Sequence, residues 1–459
     1  MKKKYFGATI CIIVILLLAS IPTNAILVVS DNLRNSSSSN NLQKIIKNKQ
    51  QFTIEKAFEY TKNKIFPLDG ITGISYDENP PEINIYIESE EFRGIIPEKI
   101  KGFDTDVRVS GLFYSYGIPL EDVEAYSDQV SLALDWTFEN LTDDYIAQAK
   151  ARDIEENTVY DTMKLTEEQL NLVYDTVEEL KERRGILYYI LSKKALRDAT
   201  TLTDDGATIN MVKLNYEMQN YEKLLAKLQL PFSFDRTSRI RPIAGGISIS
   251  MPWWLFFGFT AGTLGICDNG WGITCAHVAS MNRFGMRYGN AGVPIIQPGS
   301  YDGGNAPDDT IGQNWESLII WYNLPNVADA AIIDLSWADY LEEEVFYNDG
   351  TTYHVNMPEF QNPEEGMDVR LSGRTSGVSL GSIWDDNARV KVLYSFIPPR
   401  IATFVDVALI KPYNFGQGGD SGSVVDYHGT WVGLLFAGGS EYSIVCKAYW
   451  VTAYLWDYP

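Results

Sequence analysis

The chain has 459 residues, of which 45% are hydrophobic, and it carries a formal net charge of −22 at pH 7. The apolar content excludes a disordered chain, and the length allows two or three domains. The excess of carboxylates excludes nucleic acid as a partner, because phosphates would be repelled.

Residues 1–25, MKKKYFGATICIIVILLLASIPTNA, have the layout of a secretory signal peptide, with lysines, an apolar stretch and small residues ending at Ala25. The apolar stretch is shorter than the roughly 20 residues that a membrane span requires. We therefore expect cleavage and an extracellular protein. The alternative is an uncleaved segment that anchors the protein at the cell surface, the one case in which a membrane is a partner.

Two regions with different predicted secondary structure follow a polar linker at residues 26–51. A helical pattern and then alternating strands predict a small α/β domain over residues 52–111. Residues 112–235 predict a mostly helical pro-region or accessory region. One long helix there opens with a capping box from Thr166 to Gln169, and nothing in these helices suggests chemistry.

Residues 240–459 change to short apolar runs separated by Gly, Asn, Asp and Pro, which predicts an all-β sandwich or barrel. The aromatic run MPWWLFFGF near its start is predicted to be a buried strand and its flank. The expected architecture is thus multidomain, with a small α/β domain and a helical region before a C-terminal all-β domain.

The turn GQGGDSGSVV in this all-β region presents Ser421 among glycines. Gly418, Gly419 and Gly422 permit backbone conformations that point the N–H groups of residues 419 and 421 at one spot. Such a turn fits a serine nucleophile beside an oxyanion hole formed by the backbone of Gly419 and Ser421.

A serine nucleophile needs a base, and the chain has three histidines. His277 follows an apolar strand in GITCAHVAS, whereas His354 and His428 lie in polar, turn-like settings and are predicted at the surface. Histidines this far apart, without carboxylates at ligand spacing, do not predict a zinc site. The orienting acid is predicted in NVADAAIIDLS, where Asp329 is the first candidate and Asp334 its rival.

These segments together resemble the chymotrypsin-fold (trypsin-like) serine peptidases. GITCAHV resembles the histidine strand of that family, DAAIIDL its aspartate segment and GDSGS its nucleophile loop. The resemblance covers about residues 242–455 and implies a double β-barrel, peptide or protein substrates, no cofactor, and His277, Asp329 and Ser421 as the triad. A calcium ion has no specific signature in the chain.

Further motifs resemble the bacterial, streptogrisin-like branch. VRLSGRTSGVSLGSI resembles its Ser-Gly-Arg-Thr-Thr-Gly strand pair, which implies an ion pair between Arg374 and Asp420. The substrate-binding edge strand would be Phe436, Ala437 and Gly438. Phe415 takes the position at the base of the specificity pocket, so that a preference for Lys or Arg is not implied.

Two questions stay open at this level. Cys267 and Cys275 flank a hairpin-like CDNGWGITC, where they either pair in an oxidising compartment or remain buried free thiols. IAGG, from Ile243, resembles the start of an activated trypsin-like enzyme, with Arg239-Ile240 as the more plausible cleavage site. A pairing arginine would make such cleavage unnecessary.

The predicted function is a secreted serine endopeptidase, made as a zymogen if the N-terminal region is a pro-region. The alternative is a catalytically silent, protease-like binding or scaffold protein, whose helical region would engage a partner. The oligomeric state has no signature in the sequence.

Overall fold

The computed structural model describes residues 53–116, 162–184, 186–226, 236–288, 292–396 and 399–456. These residues lie in the compact unit that the chain forms from Thr53 onward. The predicted leader and linker lie outside the described residues, as do residues 117–161 of the predicted helical region. None of the described helices has both the length and the apolar character needed to cross a membrane.

The first described region packs one helix on a sheet. Its elements are α1 (Ile54–Lys64), β1 (Ile71–Glu78), β2 (Pro81–Ile87), β3 (Lys99–Ile100), β4 (Phe103–Val109) and β5 (Phe113–Ser115). β2 pairs antiparallel with β1 and parallel with β4. Isoleucines at positions 83, 85 and 87 share one face of β2 and pack in a core with residues of α1, as the alternating pattern predicts.

The second region, in the described part of the predicted helical segment, combines helices with a small sheet. Its elements are β6 (Thr162–Thr166), α2 (Glu167–Arg184), α3 (Ile186–Ala199), β7 (Thr200–Thr203), β8 (Gly206–Asn210) and α4 (Met211–Ala226). The capping box is confirmed, since Thr166 N–H donates to Gln169 Oε1 (2.9 Å) and Gln169 N–H donates to Thr166 Oγ1 (3.2 Å). The single long helix predicted after it is instead the two helices α2 and α3.

The third region begins the predicted all-β half. Its elements are β9 (Ile243–Gly245), β10 (Ile247–Ile249), α5 (Trp253–Phe256), β11 (Gly262–Leu264), β12 (Ile266–Asp268), β13 (Trp271–Thr274), α6 (Ala276–Ala279), β14 (Val293–Ile296), β15 (Thr310–Ser317), β16 (Pro325–Asn326), β17 (Ala331–Asp334), β18 (Tyr340–Phe346) and β19 (Thr352–His354). A five-stranded antiparallel sheet in the order β12-β13-β17-β15-β14 forms its centre. The prediction of short strands here is confirmed.

The fourth region contains the longest strands. Its elements are β20 (Asn356–Phe360), β21 (Asp368–Gly373), β22 (Gly377–Phe396), β23 (Pro399–Lys411), β24 (Val424–Tyr427), β25 (Thr430–Gly438), β26 (Ser443–Lys447) and α7 (Ala448–Val451). The strands follow the order β23-β26-β25-β24-β21-β22, and β22 pairs again with β23. Six antiparallel strands therefore close on themselves as a barrel.

The strands of the first region continue the sheet of this barrel. In β1, Gly73 and Ile74 pair with Val390 and Arg389 of β22. β5 lies between two strands of the barrel, parallel to β22 and antiparallel to β25. The small α/β region predicted for residues 52–111 is thus joined to the C-terminal half by backbone hydrogen bonds, and the domain boundaries read from the sequence stay predictions.

The second region meets the aromatic run instead. Residues 253–256 are buried, as predicted, but they form the short helix α5 and not a strand. Trp253 Nε1 donates to the Tyr188 hydroxyl (2.8 Å), and Trp254 Nε1 donates to Asn215 Oδ1 (3.0 Å). Partners on α3 and α4, far away in the sequence, cover these indoles, which a local pattern does not reveal.

Candidate active site

His277 and Asp329 come together where two paired strands end. β13 leads into α6, which carries His277, and β17 pairs with β13 so that Thr274 lies opposite Ala331. His277 Nδ1 lies 2.6 Å from Asp329 Oδ2, and the backbone N–H of His277 donates to Asp329 Oδ1 at 3.2 Å. Because a carboxylate accepts hydrogen bonds, Nδ1 carries the proton and Nε2 is left as a basic nitrogen.

A third group on Asp329 has no counterpart in the sequence analysis. The Tyr394 hydroxyl, on β22, donates to Asp329 Oδ2 at 2.6 Å. Burial, and then the negative charge of Asp329, raise the pKa of Tyr394 well above its ordinary value, so that the phenol remains a donor. Tyr394 lies outside the recognised motifs and is 65 residues from Asp329. No local sequence signal therefore identifies it as a partner of Asp329.

The rival residues lie elsewhere. Asp334 accepts hydrogen bonds from the backbone and hydroxyl of Ser336 in a local turn. His354 and His428 are exposed, as predicted from their polar settings.

Cys267 and Cys275 are separate buried thiols, so the disulfide alternative is wrong and the free-thiol alternative is correct. In the hairpin, Cys267 lies opposite Gly272, and Cys275 is three residues farther along. At about 3.3 Å per residue this offset exceeds the reach of a disulfide. The third described cysteine, Cys446, is also a buried free thiol.

Cys275, His277 and Asp329 place their potential ligand atoms within 4.8 Å of one another. The chemistry of the three groups does not fit a metal site. His277 Nδ1 and Asp329 are already paired, and the Cys275 thiol donates to the Leu435 carbonyl oxygen at 3.2 Å. Burial and the charge of Asp329 raise the pKa of this thiol well above its ordinary value, so the thiolate that a metal needs is disfavoured.

Ser421 lies in the loop between β23 and β24, and this loop is held against β11. Thr263 N–H donates to the Ser421 carbonyl oxygen at 2.7 Å, and the Thr263 hydroxyl donates to the Gly419 carbonyl oxygen at 2.9 Å. Gly419 and Gly422 have φ values of +98° and +95°, which only glycine adopts readily. The turn predicted from GGDSGS therefore depends on these glycines and is fixed to the region that carries His277.

The hydroxyl of Ser421 is not hydrogen-bonded to the histidine in this arrangement. Ser421 Oγ donates to the Phe436 carbonyl oxygen at 3.1 Å. His277 Nε2 is buried and has no hydrogen-bond partner within the described part of the chain. The Ser421 hydroxyl must therefore leave the Phe436 carbonyl oxygen before His277 Nε2 can accept its proton.

Arg374 and Asp420 do not form the predicted ion pair, and that expectation is wrong. Arg374 forms a two-pronged pair with Asp302, with Nε donating at 2.8 Å and Nη2 as the second donor. Asp420 is fully buried and accepts backbone N–H groups from Thr375 (2.7 Å), Ser376 (3.1 Å) and Gln417 (2.9 Å). Backbone N–H groups of the Arg-Thr-Ser turn bind Asp420 where the guanidinium was expected to bind it. The residue types alone do not show this difference.

The predicted pocket residues lie beside β5 and the residue that follows it, Tyr116. Phe436, Ala437 and Gly438 end β25, and Ala437 and Gly438 pair with Ser115 and Tyr114. Phe415 is fully buried in an apolar cluster that also contains Tyr116. Residues 113–116 therefore lie in the cleft between the end of β25 and the loop that carries Ser421, and the sequence analysis assigned them to neither the pocket nor the site.

A scan against protein-family models and a search of curated proteins gave no match. Among solved structures, the chain is similar to Cellulomonas bogoriensis chymotrypsin (17% identity, 46% of this chain and 95% of that one, TM-score 0.33). It is also similar to Thermobifida fusca Protease A (17%, 46% and 95%, 0.32) and to the scabies mite inactivated protease paralogue S-D1 (12%, 46% and 89%, 0.29). Likenesses this distant, with an inactivated paralogue among them, decide nothing about activity.

Proposed function

We propose that the protein is a serine endopeptidase that cleaves peptide bonds through an acyl-enzyme. The observation that carries the proposal is the buried His277–Asp329 pair at 2.6 Å, together with the glycine-dependent turn that presents Ser421. This combination supplies a base in the correct tautomer and a serine on a rigid turn, which are the requirements of serine hydrolysis.

In the proposed reaction, Ser421 Oγ turns from the Phe436 carbonyl and transfers its proton to His277 Nε2 as it attacks the substrate carbonyl. Asp329 stabilises the resulting imidazolium, and Tyr394 holds the Asp329 carboxylate in place. The backbone N–H groups of Gly419 and Ser421 receive the developing negative charge on oxygen. His277 then returns the proton to the leaving amine, and water releases the acyl group by the same steps.

The finer features of the proposal come from the sequence. Residues 1–25 support export, after which the protein would act outside the cell. Residues 112–235 would serve as a pro-region or accessory region, and the motifs resemble those of the streptogrisin-like branch. Peptides and proteins are the proposed substrates, without a cofactor.

A silent, protease-like scaffold is the second candidate, and two observations favour it. Ser421 donates to Phe436 and not to His277, and residues 113–116 of the chain itself lie in the cleft. In such a protein the serine would never become nucleophilic.

Labelling with a fluorophosphonate probe separates the two candidates, because the probe reacts with an activated serine. We expect the full-length protein, or its processed form, to be labelled, and Ser421→Ala to be unlabelled at an unchanged melting temperature. Absence of labelling in every folded sample would support the scaffold instead.

A further inference from the structure

Residues 113–116 lie in the cleft as a strand that ends at the nucleophile. Ser115 and Tyr114 pair antiparallel with Ala437 and Gly438, and the Tyr116 N–H donates to the Phe436 carbonyl oxygen at 3.3 Å. The strand thus uses the edge of β25 for backbone recognition, a mode that holds a peptide by its main chain and leaves alternate side chains to enter pockets.

The Tyr116 carbonyl group contacts the loop that carries Ser421. Its oxygen accepts the N–H of Gly419 at 3.2 Å, and this N–H belongs to the proposed oxyanion hole. The neighbouring Phe436 carbonyl accepts both the Tyr116 N–H and the Ser421 hydroxyl. One carbonyl oxygen therefore tethers the nucleophile and the residue to be attacked.

The Tyr116 side chain fills a pocket suited to a phenol. Tyr116 is 5% exposed, and its hydroxyl lies 3.0 Å from Ser443 Oγ, which also accepts the Gly416 N–H at 3.1 Å. A Cβ atom added at Gly438 would overlap the Tyr116 hydroxyl, so glycine is needed there for the ring to enter. Phe415 belongs to the same apolar cluster as Tyr116.

We propose that the first substrate of this enzyme is its own peptide bond after Tyr116, and that the pocket selects tyrosine at the residue whose carbonyl is attacked. The inference rests on the proposed function. It names the substrate residue, and it places the processing site away from Arg239-Ile240.

The bond changes follow from these positions. Ser421 Oγ forms an ester with the Tyr116 carbonyl carbon, the bond from that carbon to the next nitrogen breaks, and His277 passes the serine proton to the leaving amine. Water then attacks the ester, which restores Ser421 and leaves a carboxylate on Tyr116. Each cleavage consumes one water molecule, and no oxidant, reductant or cofactor takes part.

Cleavage does not by itself release the N-terminal piece. β1 and β5 pair with β22, and β5 also pairs with β25. Where the first region meets β22, Asp385 of β22 accepts hydrogen bonds from the hydroxyls of Ser75 and Tyr86. The new carboxylate of Tyr116 would remain near the Gly419 N–H, so the retained strand would compete with an added peptide for the cleft and slow its hydrolysis without abolishing it.

The test compares the full-length protein with its Ser421→Ala variant by intact mass, by N-terminal sequencing and by gel filtration. We expect the active protein to yield two chains divided after residue 116 that elute together, and Ser421→Ala to remain one chain. Hydrolysis of tyrosyl and lysyl anilide peptides, measured in the same samples, reports on the proposed function separately.

Variants of the cut residue test the pocket. Tyr116→Asp places a charge among apolar side chains and is expected to stop cleavage at this position, whereas Tyr60→Asp, at an exposed tyrosine of the same region, serves as the control. Tyr116→Phe keeps the ring in case the aspartate variant does not fold, and we expect about tenfold slower cleavage because the contact with Ser443 is lost.

Each outcome has one meaning. Serine-dependent hydrolysis of the tyrosyl peptide by a chain that stays uncut, or is cut elsewhere, would overturn self-cleavage and leave the proposed function standing. Faster hydrolysis of the lysyl peptide would overturn the tyrosine pocket. Loss of both cleavage and peptide hydrolysis, without probe labelling, would remove the proposed function as well.

Discussion

Asp329 and Asp420 are both fully buried beside the candidate site, and they differ in what holds them. Asp329 is bound mainly by side chains that can take part in chemistry, namely the imidazole of His277 and the phenol of Tyr394. Asp420 is bound by three backbone N–H groups of neighbouring turns. The first environment transmits charge to a base, whereas the second fixes the shape of the loop that carries Ser421.

Asp329→Asn gives the largest expected effect. The amide cannot hold His277 in the same tautomer or stabilise the imidazolium, so kcat is expected to fall by about 10⁴-fold. Steady-state hydrolysis of a tyrosyl peptide measures this. Asp334→Asn is the matched control, and similar losses in both variants would mean that Asp329 was wrongly assigned.

Asp420→Ala should act on stability instead. Three N–H groups lose their acceptor in the interior, which is expected to lower the free energy of unfolding by about 3–5 kcal/mol. Urea denaturation followed by tryptophan fluorescence measures the change. A variant as stable as the unmodified protein would show that the loop does not depend on this carboxylate.

The pH dependence of stability distinguishes Asp420 further. Burial raises the pKa of its carboxyl above the ordinary value of 3.8, so the folded protein binds this proton more readily than the unfolded chain. The free energy of unfolding therefore falls as pH rises from 3.8 through the raised pKa. Asp420→Asn does not titrate, and its stability should change less over this interval.

Arg374→Ala tests the correction to the predicted ion pair. Asp302 would be left without its guanidinium partner, and since the two side chains are only 6% and 13% exposed, we expect a loss of about 3 kcal/mol. Arg239→Ala removes an arginine that is 58% exposed and lies 3.6 Å from Asp309, and it should cost under about 0.5 kcal/mol. Equal losses in the two variants would contradict a structural role for the Arg374–Asp302 pair.

Tyr394→Phe has the smallest expected effect. It removes one hydrogen bond to the Asp329 carboxylate, and the loss of roughly 1.5 kcal/mol corresponds to about a tenfold lower kcat. KM should stay unchanged, because the phenol does not contact substrate. A change in KM alone would place Tyr394 in substrate binding and not in positioning Asp329.

Elements with local signals could be predicted from the sequence alone. The glycines around Ser421 predict its turn, the apolar strand before His277 distinguishes it from two exposed histidines, and strand periodicity predicts the β-rich C-terminal half. The capping box at Thr166 is of the same kind, since donor and acceptor are three residues apart. Each of these patterns is fixed by the chemistry of neighbouring residues.

Contacts between side chains that are far apart in the sequence became visible only in the tertiary structure. Arg374 pairs with Asp302, whereas the fully buried Asp420 accepts backbone N–H groups instead of the guanidinium. Tyr394 reaches Asp329 from the part of β22 that pairs with β23, and the neighbouring Leu393 pairs with Tyr114 of β5. Such contacts arise from strand register between segments tens to hundreds of residues apart, and residue types in one sequence do not encode that register locally.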